Sequence, residues 1–220
     1  MSWSEMFEWW LGEVESDPAY EEVVTPLLLD ILNAAPGLRY MDVGCGEGRV
    51  MRSLSLRGPT VIGFDISQEL VGQSESAFVA DLVSIPVRDD SMDGAYCVLA
   101  LEHVEDHSRF FDEAARAVRP DGALAIVVNH PVWTAPDSTP ISDFDGEVLW
   151  RPGRYFTGGS SQLSAGDHAV TFYHRTFADL LNAAANSGWI LERLIEQPHH
   201  EYEDQAGIPR LLAARWRRSR

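Results

Sequence analysis

Apolar positions follow two rhythms along this chain. From about position 38 to position 129, short β-branched or apolar runs alternate with stretches of helical period, the pattern of βαβ units that assemble a parallel sheet. Residues 39–43, 60–65, 77–80, 94–100 and 123–129 predict five strands, with helices in the gaps. The clearest helix is 108–118, which lays Phe110, Phe111, Ala114, Ala115 and Val118 along one face and stops at the turn signal Arg119-Pro120-Asp121-Gly122. A second helix over 176–187 closes at Gly188 and feeds a strand over 189–196. A seventh strand, over 210–215, follows a polar loop.

Two regions break this rhythm. Residues 1–37 predict a helical lead-in, and residues 130–174 an irregular insertion between the fifth strand and the late helix. Together they hold 12 of the 22 aromatic residues, among them Trp3, Trp10, Tyr20, Trp133, Trp150, Phe172 and Tyr173. An aromatic lid over one edge of the sheet is the expectation, although packing within cap helices accounts for many such side chains.

Composition narrows the chemistry. A chain of 220 residues with 45% hydrophobic and 23% charged content supports one ordinary core. No apolar run approaches the roughly 20 residues of a membrane span. Glu5 and Glu8 precede the first basic residue, Arg39, so no signal peptide is expected. Cys45 and Cys97 lie in apolar stretches, which predicts buried free thiols and a cytoplasmic setting. A net charge of -17 disfavours a phosphate backbone as partner. All 17 basic residues are arginine, which excludes Schiff-base and lysine-nucleophile mechanisms. The closing Arg215, Arg217, Arg218 and Arg220 read as a solvated tail.

The strongest local signal is Y-M-D-V-G-C-G-E-G-R at 40–49, where an apolar strand breaks into three glycines before a helix. Gly44, Gly46 and Gly48 permit a sharp turn and close approach of backbone to a ligand. A dinucleotide fingerprint needs G-x-G-x-x-G, yet position 49 is arginine, so the pattern is G-x-G-x-G and NAD is disfavoured. Asp65 ends the second strand 21 residues after Gly44 (65 − 44), near the ~20-residue interval at which a carboxylate meets ribose hydroxyls.

The ordered series D-V-G-C-G-E-G-R, V-I-G-F-D-I-S, V-A-D-L-V-S-I-P-V, M-D-G-A-Y-C-V-L-A-L-E-H-V-E-D and V-R-P-D-G-A-L-A-I-V-V-N-H resembles the motifs of class I S-adenosylmethionine-dependent methyltransferases. Within them it is nearest the small-molecule branch that resembles ubiquinone and menaquinone biosynthesis enzymes. The resemblance is close over 38–130 and looser over 173–196. It implies an α/β, Rossmann-like, mostly parallel seven-stranded sheet in the order 3-2-1-4-5-7-6, last strand antiparallel, with helices on both faces and an aromatic-rich cap. The expectation is one methyltransferase domain, divided into a lid (1–37), a cofactor-binding core (38–129), an acceptor-binding insertion (130–174) and the closing part of the sheet (175–220).

For the cofactor, the resemblance implies that Gly44, Cys45, Gly46 and Gly48 hold the methionine portion and that Asp42 lies near its ammonium. Asp65 with Ile66 would meet the ribose, Asp81 and Leu82 the adenine edge, and Ala100, Leu101 and Tyr20 would complete the pocket. The helix after Ser67 is unusually short for the family, which predicts a more open adenine edge. S-adenosylhomocysteine is the implied product, and the implied partner is a small-molecule acceptor.

Carbon and phenol acceptors often need help losing a proton, and histidine suits that task near neutral pH. His130, just after the fifth strand, and His174, just before the late helix, are the candidate bases; Tyr20 and Tyr173 are candidates to orient an acceptor hydroxyl. His103, in L-E-H-V-E-D-H, occupies a position common in the resembling enzymes, in a structural or chemical role. No metal site is expected from Glu102, His103, Asp106 and His107. Three rivals remain: a nicotinamide oxidoreductase on the same fold, a non-catalytic binding module, and a nucleic-acid methyltransferase, the last disfavoured by L-A-L-E-H after the fourth strand and by the acidic charge.

Overall fold

The computed structural model describes residues 3–142, 144, 146–165, 168–198 and 207–220. Its strands are β1 (Arg39–Val43), β2 (Thr60–Asp65), β3 (Ala77–Val79), β4 (Met92–Val98), β5 (Val118–Asn129), β6 (Thr139–Ser142), β7 (Val148–Arg151), β8 (Gly159–Ala165), β9 (His168–His174), β10 (Trp189–Pro198) and β11 (Pro209–Arg218). Seven of them form one sheet in the order β3-β2-β1-β4-β5-β11-β10. β11 runs antiparallel to both of its neighbours and the remaining contacts are parallel, which is the order and polarity expected above.

Period-2 alternation divides the core in two. Met41, Val43, Ala95, Cys97, Leu124, Ile126, Val128 and Trp216 share one buried cluster with Phe110 and Phe111 of α5 (His107–Ala117) and Leu180 and Ala183 of α7 (Phe177–Asn186). Tyr40, Tyr96, Val98, Ala125, Val127 and Ala213 face the other way, against Leu28, Ile31 and Leu32 of α2 (Thr25–Leu32) and Val50, Met51 and Leu54 of α3 (Arg49–Ser55). With helices on both faces the central strands are apolar throughout, which explains their unbroken runs. The remaining helical segments are Trp3–Met6, α1 (Phe7–Ser16), Tyr20–Val24, α4 (Gln68–Val71), a turn over Leu101–His103 and α6 (Pro131–Thr134). α4 is a single turn, capped by Ser67 Oγ accepting from the Leu70 N–H at 3.3 Å, as the short spacing predicted.

Three expectations change. β5 begins at Val118, because the Arg119-Pro120-Asp121-Gly122 segment is a bulge in the strand with Asp121 at φ 63°. The insertion is ordered into two hairpins, β6–β7 and β8–β9. Its β propensity was hidden by short strands of mixed polarity such as Thr139–Ser142. The closing arginines are not a solvated tail: β11 extends through Arg218, and Arg215, Arg217 and Arg218 pair with Glu192, Asp121 and Asp90, while Arg220 also reaches Asp121. Cys45 and Cys97 are buried free thiols. No described helix is long and apolar enough to cross a membrane.

Candidate functional site

The chain leaves β1 toward β2 on one side and β4 toward β5 on the other, so the crevice where open α/β sheets bind ligands lies at the carboxyl ends of β1 and β4. A cavity of about 410 Å³ occupies that place. The loop after β1 forms its floor. Gly44 has φ +88°, and a Cβ there would stand 2.4 Å from the Ala100 Cβ at the end of β4. Glycine is therefore required twice over, for the left-handed backbone and for the close approach of two strand ends. Gly44→Ala is expected to lower the thermal midpoint by the equivalent of about 1–3 kcal/mol, the usual cost of overpacking plus a left-handed alanine, as calorimetry would read.

The cavity wall gathers Gly44, Gly46, Asp65, Ile66, Asp81, Leu82, Ala100, Tyr20 and Tyr173 of the predicted residues. Asp65 accepts the Gly46 N–H on Oδ2 and the Ser67 N–H on Oδ1, both at 2.9 Å, which fixes its carboxylate at the loop. Tyr20 lies under the Arg49 guanidinium, 5.0 Å from its ring centre, and burial raises its pKa so that it stays a phenol. Asp42 and Cys45 line a smaller space of about 40 Å³ behind the same loop, shared with Tyr20, Gly44 and Gly46.

Other predicted residues lie outside both spaces. Gly48 is the left-handed cap of α3 (φ 85°), and Leu101 is the buried first residue of the turn that follows β4. His130 and His174 are not brought to the cavity. The His130 ring accepts the Val132 N–H on Nδ1 (3.2 Å) and donates from Nε2 to Glu196 (2.9 Å), and burial lowers its pKa. The His174 ring donates from Nε2 to the Tyr155 carbonyl at 2.7 Å and meets the Thr134 hydroxyl through Nδ1 at 3.0 Å. Both histidines tie the insertion down; their positions beside strand ends gave no sign of which way the rings turn.

His103 does line the cavity. Its Nδ1 lies 2.9 Å from the Thr171 carbonyl, which can only accept, so Nδ1 carries the proton and Nε2 of the neutral ring keeps its lone pair. Trp3 and Phe172 pack edge-on against the ring, with centroids 4.9 and 4.6 Å away. Arg175 clamps the turn beneath it, donating to the carbonyls of Leu101 (3.0 Å), Val104 and Glu105 (3.1 Å), and burial brings its pKa down to about 10. Trp10, Leu99, Val104, Glu105 and Asp106 also line the cavity. The L-E-H-V-E-D run already marked the region. Leu99, held at φ +50° where the strand ends, leaves no trace in a single sequence.

Residues 41–126 match the methyltransferase-domain family. An uncharacterized 37.1 kDa protein in a transposon of Streptomyces fradiae is 36% identical over 63% of this chain and 41% of its own length. A ubiquinone biosynthesis O-methyltransferase of Hahella chejuensis is 32% identical over 53% of this chain and 54% of its own. The chain thus spans about half or less of the curated relatives it matches. An S-adenosylmethionine-dependent methyltransferase structure from Mesorhizobium loti superposes with a TM-score of 0.77 at 27% identity, covering 93% of this chain and 99% of that one. In fold, and over residues 41–126 in sequence, the chain is similar to class I S-adenosylmethionine-dependent methyltransferases, whose cofactor is S-adenosylmethionine.

The residues present fit that cofactor. Asp65 retains acceptor capacity beyond its two backbone bonds, which suits a ribose diol. Asp42 is 1% exposed, and its Oδ1 has no hydrogen-bond partner among the described residues, which suits an ammonium. Burial holds its carboxyl well above the usual range, with the charges of Asp65 and Glu47 adding to the effect. A carboxyl with a raised folded-state pKa costs the folded protein stability at high pH, a cost relieved as pH falls from that pKa towards the unfolded value. Asp42→Asn should therefore raise the apo thermal midpoint at neutral pH, by about 1–3 kcal/mol if the lone oxygen is as costly as similar buried groups. The same variant should weaken S-adenosylhomocysteine binding; an unchanged midpoint would contradict the assignment.

Proposed function

We propose that the protein transfers a methyl group from S-adenosylmethionine to an oxygen, nitrogen or carbon nucleophile of a small aromatic or apolar acceptor, releasing S-adenosylhomocysteine. The observation that carries this reading is the pairing within one cavity of the Gly44–Asp65 cofactor wall with an aromatic and histidine wall formed by Trp3, Trp10, Tyr20, His103 and Tyr173. Residues 1–37 serve as the lid and 130–174 as the acceptor side.

When bound, S-adenosylmethionine supplies an electrophilic methyl carbon on a sulfonium. Alignment of a nucleophile with that carbon is the main task of the protein, and such positioning can contribute roughly 7–11 kcal/mol. The aromatic wall excludes water and orients the acceptor plane. His103 Nε2 accepts the proton that an O–H, N–H or C–H acceptor gives up, while Nδ1–H stays on Thr171 and holds the ring. Tyr173 and the un-ionised Tyr20 offer hydroxyls that position the acceptor.

Thermal-shift titration tests the cofactor half. S-adenosylhomocysteine at ~100-fold above its Kd is expected to stabilise the protein by about 2.7 kcal/mol, roughly 5–10 °C for a chain of this size. Stabilisation by NAD and not by S-adenosylhomocysteine would overturn it. Release of S-adenosylhomocysteine from S-adenosylmethionine, across a panel of phenols, indoles and arylamines, tests the transfer half.

A further inference from the structure

Beside the cofactor cavity lies a second one of about 230 Å³, beneath the 130–174 segment. Asn129 at the end of β5, Trp133 of α6, Phe172 of β9 and Arg210 near the start of β11 line it. Because Leu211 pairs with Asn129 across the antiparallel β5–β11 contact, Arg210 stands at the same sheet edge as the cofactor loop. Phe172 packs on His103, and its neighbour Tyr173 lines the cofactor cavity. A narrow space walled by Glu102, Asn129, Thr134 and Tyr173 lies between the two.

Arg210 differs from its companions on β11. Arg215, Arg217 and Arg218 each pair with a carboxylate, whereas Arg210 forms no ion pair among the described residues. Its guanidinium lies 4.7 Å from the Trp133 ring centre and donates to Asn129 Oδ1. The Asn129 amide is set by Glu102, whose Oε1 accepts from Nδ2 at 2.5 Å, so the Asn129 carbonyl is turned to the arginine and the Glu102 charge stays one residue removed. Burial holds the Arg210 pKa below its usual range, with the charges of Glu102 and Asp17 acting against that shift. A planar guanidinium with one edge committed to Asn129 keeps further N–H donors, and these match a carboxylate in planar, bidentate fashion.

We propose that this second cavity seats a carboxylate carried by the acceptor, with Arg210 as its partner and Trp133 and Phe172 against its aromatic body; the substrate class is then an aromatic carboxylic acid. This rests on the methyltransferase reading, and places the carboxylate on the far side of His103 and Phe172 from the transferred methyl. A chain of net charge -17 repels anions in general, so recognition of one depends on a specific buried cation.

Benzoate and its uncharged counterpart benzamide are suitable probes, titrated into the full chain by ligand-detected NMR with and without S-adenosylhomocysteine. Benzoate should bind at least roughly tenfold more tightly than benzamide, as expected for a charge-assisted pair. Arg210→Gln should erase that preference with S-adenosylhomocysteine affinity unchanged, and Arg210→Lys should retain part of it. Equal binding of the two probes to the wild-type protein, no benzoate binding, or a preference that survives in Arg210→Gln would overturn the proposal. Failure of S-adenosylhomocysteine to bind, with the benzoate preference intact, would instead strike at the methyltransferase reading.

Discussion

Replacing His103 with glutamine is expected to lower turnover by roughly 10²–10⁴-fold, the span typical for loss of a positioned general base, while S-adenosylhomocysteine affinity stays within about twofold. The reason lies in how the ring is held. The carbonyl of Thr171 fixes the proton on Nδ1, and Arg175 fixes the turn that carries the residue. With Nδ1 so engaged, Nε2 is the nitrogen of this ring left to take a proton. Glutamine can still donate an N–H to Thr171 and fill much of the space between Trp3 and Phe172, but it cannot take a proton. The measurement is initial rate of S-adenosylhomocysteine release with a responsive acceptor, alongside calorimetric affinity. A variant with wild-type turnover would remove His103 from the chemistry. His130→Ala and His174→Ala should mainly lower stability, because both of those rings are spent on bonds within the fold.

The difference between these histidines shows where the sequence is informative. A five-motif series in order and short apolar runs were enough for the sheet, because burial on both faces forces continuous runs in β1, β4 and β5. Gly44 and Asp65 were legible for a related reason: a left-handed turn and a carboxylate at a strand end each demand one residue type at one spacing. The direction in which a ring points is not encoded so locally. His130 and His103 both follow strands at the same sheet edge, yet their partners, Glu196 and Thr171, are 66 and 68 residues away in the chain. The insertion was opaque for the same cause. Its hairpins are held by contacts such as Trp133 with Trp150, centroids 4.4 Å apart, and Tyr155 with His174, which no short window contains.

Asp65→Ala is expected to raise the Kd for S-adenosylhomocysteine by roughly 10²–10⁴-fold, from the loss of two charge-assisted bonds at ~1.5–3 kcal/mol each. Each carboxylate oxygen already accepts one backbone N–H, from Gly46 or Ser67, and each keeps a lone pair for a ribose hydroxyl. Asp65→Asn should be no gentler than alanine, since an amide NH₂ in this place must point a donor at one of those two N–H groups. The pH dependence follows from the same carboxylate. Burial raises its pKa, with the charge of Glu47 adding to the effect, while a bound diol favours the ionised form. The apo protein therefore takes up this proton at a higher pH than the complex does. Affinity should be level above the raised pKa and fall as pH drops through it, with proton release on binding in that window, measurable by calorimetry in buffers of different ionisation enthalpy. An affinity independent of pH across the acidic range, or an Asp65→Asn variant that binds as tightly as the wild type, would show that the ribose is held by some other group.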